Sequence, residues 1–211
     1  MPHRFLQIAL TPSVLAEQQR LDGGARGPRP ASLHERHSFD RFTQSEADFI
    51  AARDSFYLST VSETGWPYIQ HRGGPQGFLK VLDERTLAFA DYRGNRQYIS
   101  AGNATSNRRA CLFLMDYPNR ARLKMYVHIE TIAPESDPDL LEVVASAEYR
   151  AKIERIFRLR LEGFDWNCPQ HIRPRFTEQE IAGLVRPLQE RLALLESENV
   201  RLRSRLENSG E

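Results

Sequence analysis

The sequence predicts a mainly β protein: a small antiparallel β-barrel with a few short helices, followed by a long C-terminal coiled-coil helix. Two observations carry the barrel. Between Ser55 and Gly163, apolar and polar residues alternate in a series of strand-length segments. Turn residues separate them, as in "SETG" (62–65) and "GGPQG" (73–77). Antiparallel strands of this kind manage their edges by closing on themselves. The third observation is a change of period after residue 177, where apolar residues recur at alternating spacings of four and three. The expected division is therefore an N-terminal helix and arm (1–40), a barrel domain (41–176) and a C-terminal helix (177–211).

Residues 11–20, "TPSVLAEQQR", read as a short helix with Pro12 at its first position. "LDGGARGPRPASL" is a Gly-, Pro- and Arg-rich arm, and His34 and His37 follow it as surface residues or a substrate loop. "TQSEADFIAARD" from Thr43 predicts a helix with early acidic residues and Phe49 and Ile50 on its apolar side. "SFYLSTV" (55–61) and "WPYIQHR" (66–72) predict a hairpin, and "FLKVLD" with "TLAFADY" a second one over Glu84 and Arg85. After Gly94 the chain turns helical. "RRACLFLMD" (108–116) and "RARLKMYVHIETI" predict two further strands, and "DPDLLEVVASAEYRAKI" a helix. In "IFRLRLEG", Phe157, Leu159 and Leu161 share one face and Arg158, Arg160 and Glu162 the other, so this too is a strand.

Composition excludes several classes. Of 211 residues, 40% are hydrophobic and 27% charged, the balance of an ordinary globular chain. A net charge of +1 gives no field for nucleic acid. No apolar run approaches the ~18 residues of a membrane span. The N-terminus lacks the features of a secretory signal. Cys111 and Cys168 give no disulfide framework. A cytoplasmic protein is expected, with a small molecule rather than nucleic acid or membrane as its partner.

"TEQE" (177–180) is a capping box that starts the last helix. With Val185 at heptad position a, the a positions are Val185, Leu192, Asn199 and Leu206, and the d positions Leu188, Leu195 and Leu202. A single Asn at a with Leu at every d predicts a parallel two-stranded coiled coil, and so a homodimer. Arg191 would face Glu196 of the second copy, and Glu198 would face Arg203. Pro187, inside the pattern, predicts a kink or a restart of the helix.

Two stretches carry chemistry. In "FADYRGNRQYISAGN" (89–103) a strand gives way to a helix, with Gly94 at the turn and Asn95 and Arg96 near the helix start. Free N–H groups and a positive dipole end favour a phosphate there. "GFDWNCPQHIRPRF" (163–176) gathers Trp166, Asn167, Cys168, Gln170, His171 and Arg175. Cys168 and His171 leave three readings open: metal ligands, a nucleophile with its base, or a cap over a cofactor. A structural zinc site needs four ligands, and Cys111 sits in an apolar strand, so no metal is expected. A thiolate nucleophile needs a base and a group to orient it.

The order of strand, Phe89-x-x-Tyr92-x-x-Asn95-Arg96, helix and apolar strand resembles the pyridoxamine 5′-phosphate oxidase-like family of flavin-binding split barrels. It also resembles the relatives known as predicted flavin-nucleotide-binding proteins, which carry a Cys-Pro after the last strand, as in "FDWNCPQHI". The resemblance spans about residues 40–176 and implies an antiparallel split β-barrel that binds FMN, an oxidoreductase activity and a homodimer. It implies that the basic pair for the FMN phosphate falls on Asn95 and Arg96, with one cation missing and Arg72 as its candidate replacement. It places Gln70, His71, Arg72 and Gly73 along the isoalloxazine, with Tyr92 nearby and Arg122 on the next long strand. Trp166, Asn167, Gln170 and Arg175 would cap the flavin. Arg72, Arg122 and Arg175 are the candidate cations for the N1–C2=O edge of the flavin, and His71 and then Tyr92 the candidate proton donors. The oxidases hold their substrate phosphate with an Arg-x-His; "HIRPR" (171–175) lacks that spacing, so that substrate does not carry over. A binding module for flavin, deazaflavin or haem is the alternative, or a coiled-coil interaction protein with a ligand-sensing barrel.

Overall fold

The computed structural model of the chain describes residues 3–22, 38–166 and 170–207. The arm with His34 and His37, and the tripeptide Asn167, Cys168 and Pro169, lie outside the described residues. The described residues form two compact units. One runs to Asp116 and resumes from Arg120 to Gln170; the other joins Tyr117–Asn119 to the segment from His171 onward.

The first unit is built on one antiparallel sheet of seven strands: β1 (Ser55–Val61), β2 (Pro67–Gly73), β3 (Lys80–Val81), β4 (Thr86–Tyr92), β5 (Arg109–Asp116), β6 (Ala121–Ile132) and β7 (Ile153–Trp166). Their order is β2-β1-β5-β6-β7-β4-β3. The expected closure is not complete: β2 and β3 remain the two ends of the sheet, so the barrel is split. It curls enough that Phe56 of β1 meets Phe89 of β4 edge-on at 5.1 Å, and Phe89 in turn meets Phe157 of β7 at 5.2 Å. Alternate residues supply this core. Leu58, Leu112, Met125 and Phe157 are all fully buried, one from each of four strands.

Three helices precede the sheet: α1 (Arg4–Ala9), α2 (Pro12–Asp22) and α3 (Gln44–Ala51). The capping box of α3 is built from Thr43 and Glu46. Sequence reading missed α1. It docks on the outer face of the sheet, where Phe5 stacks on Tyr126 at 4.6 Å. Its backbone comes so close to Gly163 that a Cβ there would lie 2.8 Å from the Phe5 nitrogen. The second hairpin is shorter than expected. Phe78 and Leu79 turn into the core and leave only Lys80 and Val81 in the ladder.

Helix α4 (Ile99–Ser106) starts later than Gly94, because Arg96 and Tyr98 adopt left-handed φ values of 62° and 53°. It packs against β1, β2 and β6. Asn103 donates to the buried Thr60 hydroxyl at 3.0 Å, and Ser100 donates to Gln70 Oε1 at 2.9 Å. Helix α5 (Pro138–Val144) is capped by Asp137 and packs Leu140 and Val144 against Ala88, Ala90 and Ile156. It stops well before the expected end. Residues 145–152 form turns and irregular chain, and of the expected helix only Ile153 enters β7, which pairs with β4 over its first half and with β6 over most of its length.

In the second unit α6 spans Glu178–Glu207 and runs through Pro187 without restarting. Thr177 and Glu180 form the expected reciprocal cap, with Thr177 N–H donating to Glu180 at 2.7 Å and Glu180 N–H to Thr177 Oγ1 at 3.2 Å. No helix among the described residues is long and apolar enough to cross a membrane.

Candidate functional site

The sheet alternation sorts the candidate residues. On β2, Tyr68, Gln70 and Arg72 point to the half-buried inner side, while Ile69 and His71 point outward. Arg72 sits opposite Phe56 in the ladder and reaches across the open seam to β4, where its guanidinium pairs with Asp91. Arg155 of β7, opposite Asp91 in the β4–β7 register, pairs with the other carboxylate oxygen at 2.6 Å. Asp91 is only 5% exposed, so one buried carboxylate joins two cations where backbone pairing does not close the barrel.

A cleft of about 200 Å³ opens beside this triad. Gln70, Arg72, Tyr92, Asn95 and Arg96 line it, so the structure brings together five of the residues chosen from sequence. Asp91, Tyr98, Ser100, Glu154 and Arg155 also line it and were not chosen. Tyr98 lies under the Arg155 guanidinium, 4.7 Å from centroid to Cζ. Glu154 accepts from Arg93 at 2.8 Å. Arg155 lies near the start of a long strand, and only the pairing of β7 with β4 sets it opposite Asp91. No local sequence signal marks it.

The cleft suits an anion. Arg96 has no ion-pair partner among the described residues. The Tyr98 side chain does not cap α4, so its first-turn N–H groups stay available beside Ser100 and Ala101, which line the cleft. Two buried polar atoms of the cleft lining, Arg72 Nε and Tyr92 Oη, are among those with no hydrogen-bond partner among the described residues. Orphans of this kind call for a ligand or water. Burial lowers the Arg72 pKa, and Asp91 opposes that shift. Burial, and then the neighbouring Tyr149, raise the Tyr92 pKa, so its phenol keeps its proton at neutral pH and remains a donor. Asn95 is engaged locally: its side-chain oxygen accepts from Gln97 N–H at 3.2 Å and shapes the loop.

The remaining candidates do not line this cleft. His71 lies on the outer face, edge-on to Tyr57 at 5.6 Å. Gly73 ends β2 opposite Ser55. Arg122 shares the outer face and lies 5.6 Å over the Phe113 ring. Trp166 packs edge-on to Phe49 at 4.7 Å and donates to Glu46 Oε1 at 2.8 Å, so its indole secures α3 to the end of β7. Gln170 is an exposed turn residue. Asn167 lies outside the described residues. Arg175 belongs to the second unit, where its guanidinium lies 5.0 Å over Tyr117. No group of three or more His, Cys, Asp or Glu among the described residues is placed to hold a metal ion.

Fold and cleft define a class: a split barrel with a cleft at its open seam, lined by the uncapped start of a helix. The chain belongs to the pyridoxamine 5′-phosphate oxidase family, whose pattern it matches over residues 42–167. Solved structures show similar chains. One is a candidate pyridoxamine 5′-phosphate oxidase from Lactobacillus delbrueckii, at 20% identity over 60% of this chain and 94% of that one, with a TM-score of 0.46. Another, from Clostridium acetobutylicum, is related to general stress protein 26 (16% identity, 65% and 95% coverage, TM-score 0.40). A third is an FMN-binding protein from Syntrophomonas wolfei (15% identity, 59% and 85% coverage, TM-score 0.42). At these scores the neighbours bear on neither cofactor nor chemistry here. No curated protein matches the chain.

Proposed function

We propose that this protein binds FMN with its phosphate in the seam cleft and acts as an FMN-dependent oxidoreductase. The observation that supports this most directly is the cleft itself. It joins an uncapped helix start to Arg96, Arg72 Nε and Tyr92 Oη, of which Arg96 has no ion-pair partner and the two atoms no hydrogen-bond partner among the described residues. Arg96 and the first-turn N–H groups of α4 would hold the phosphate by charge-assisted hydrogen bonds. Gln70 is oriented by Ser100 and Tyr92 by its tilted ring contact with Tyr149, so both present polar groups in fixed places. When bound, the flavin would supply the hydride chemistry, and the protein orientation, charge and exclusion of water. Tyr92 would donate a proton or hydrogen bond at the cleft.

Arg72 is a weaker phosphate ligand than its sequence position implies, because its charge is already shared with Asp91. Its role on this reading is to hold the seam and present Nε. The family's usual substrate is not proposed, since "HIRPR" lacks the Arg-x-His spacing.

A homodimer is part of the proposal. Cofactor pockets usually enclose ~300–1,000 Å³, and the cleft of one chain offers about 200 Å³. His71 and Arg122 lie on the face opposite to Gln70 and Arg72. That outer face also leaves Ile69 64% exposed, beside Tyr57 and Phe113. A second copy would bring an outer face to an inner cleft, so both residue sets would meet one flavin. On this reading the protein works in the cytoplasm, where a free thiol such as Cys111 stays reduced.

Purified protein should carry a yellow chromophore that boiling releases as FMN, identified by chromatography. A deazaflavin or a haem Soret band in its place, or colourless protein that ignores added FMN, overturns the assignment.

A further inference from the structure

Helix α6 presents an apolar seam to solvent. Every described side chain from Glu178 to Arg205 is exposed, and Ile181, Val185, Leu188, Leu192, Leu195 and Leu202 are each between 37% and 70% accessible. These residues occupy the d, a, d, a, d and d positions of one heptad frame, with Asn199 at the remaining a position. A stripe this narrow suits a coiled-coil seam better than the broad face of a helix packed on a domain.

We propose that α6 pairs with α6 of a second copy as a parallel, in-register, two-stranded coiled coil. The charges beside the seam select that occupant. Arg191 at g would meet Glu196 at e of the second copy, and Glu198 at g would meet Arg203 at e, so both pairs attract in the parallel arrangement. Asn199 would meet its own copy across the axis. Paired amides satisfy each other there, and any shifted register would bury an unpaired amide against leucine. A foreign helix would have to reproduce all three features. Pro187 and Gly183 fall at heptad positions c and f, on the solvent side. The carbonyl that loses its N–H partner to the proline is therefore left to water and does not disturb the seam. This pairing is independent of what the cleft binds.

Cross-linking of the full-length chain, with Cys111 and Cys168 replaced by Ser, tests it. Leu188→Cys and Leu202→Cys should each form a covalent dimer in oxidised glutathione, because d positions of parallel helices face their own copies. Ser197→Cys, at f, should not. Glu198→Arg should lower the yield for Leu202→Cys severalfold, and adding Arg203→Glu should restore it. Cross-linking at only one d position, equal cross-linking at position 197, or failure of the charge reversal to rescue would each overturn the parallel pairing.

Discussion

At the scale of single residues, Asp91 organises the seam. It lies between Arg72 and Arg155, both mostly buried. Asp91→Ala would leave two desolvated cations without a counter-charge, so it should cost about 3 kcal/mol or more, measured by urea unfolding. A loss well under 1 kcal/mol would mean that water, rather than Asp91, neutralises them. Arg96 is the opposite case, since it is exposed and has no ion-pair partner among the described residues. Arg96→Ala should leave stability unchanged and weaken FMN roughly tenfold or more, by loss of a charge-assisted hydrogen bond. Burial raises the pKa of the half-buried Cys111 thiol. In a Cys168→Ser background, alkylation by iodoacetamide should therefore be slower than for an exposed thiol at the same pH. Arg96 was legible because it stands where a strand turns into a helix. Arg155 was not, because its meaning comes from a strand partner distant in sequence. Trp166 was visible as a residue that matters, but its indole N–H is committed to Glu46, a pairing that only the tertiary fold creates.

At the scale of elements, legibility followed length and period. Strands β1, β5, β6 and the core of β7 were readable from alternation. Helix α1 was not, because it has six residues and only Phe5 buried. The α5–β7 boundary was misplaced because "ASAEYRAKI" (145–153) is rich in helix-favouring residues, yet it forms turns and pairing with β4 claims only its last residue. The "GGPQG" loop was readable as a loop, but the residue that requires glycine was not. Gly77 has φ +72°, and a Cβ there would lie 3.0 Å from the Ala51 carbonyl oxygen. Gly77→Ala should cost about 1–2 kcal/mol in thermal or chemical unfolding. Helix α1 is also tied to β7 by Arg4 and Glu162 at 2.9 Å, and the Arg4 hydrogen bond holds the Glu162 pKa below its ordinary value. A lowered folded-state pKa stabilises the fold above the unfolded pKa, about 4.3, and that stability is lost as pH falls through the folded value. Both partners are partly exposed, so the gain is about 0.2–1 kcal/mol at neutral pH. The melting temperatures of wild type and Arg4→Ala should differ at neutral pH and converge in acid. A constant gap would contradict the linkage.

At the scale of the whole molecule, the account joins a split barrel, an anion-accepting seam and a second copy. The barrel and the long helix were legible because burial and heptad spacing leave periodic traces in sequence. The division of candidate residues between two faces of the sheet was not evident, although Gln70, His71 and Arg72 are adjacent and a strand must send neighbours to opposite sides. On this account His71 and Arg122 meet a flavin only across a dimer. Dilution that separates the copies should therefore release the cofactor, as followed by flavin fluorescence. The most direct test of the central claim is a fluorescence titration of the cofactor-free protein with FMN and, in parallel, with riboflavin, which lacks only the phosphate. The account predicts much tighter binding of FMN, with the difference largely abolished in Arg96→Ala. Equal affinity for the two in the wild type, or no binding of FMN, would contradict it.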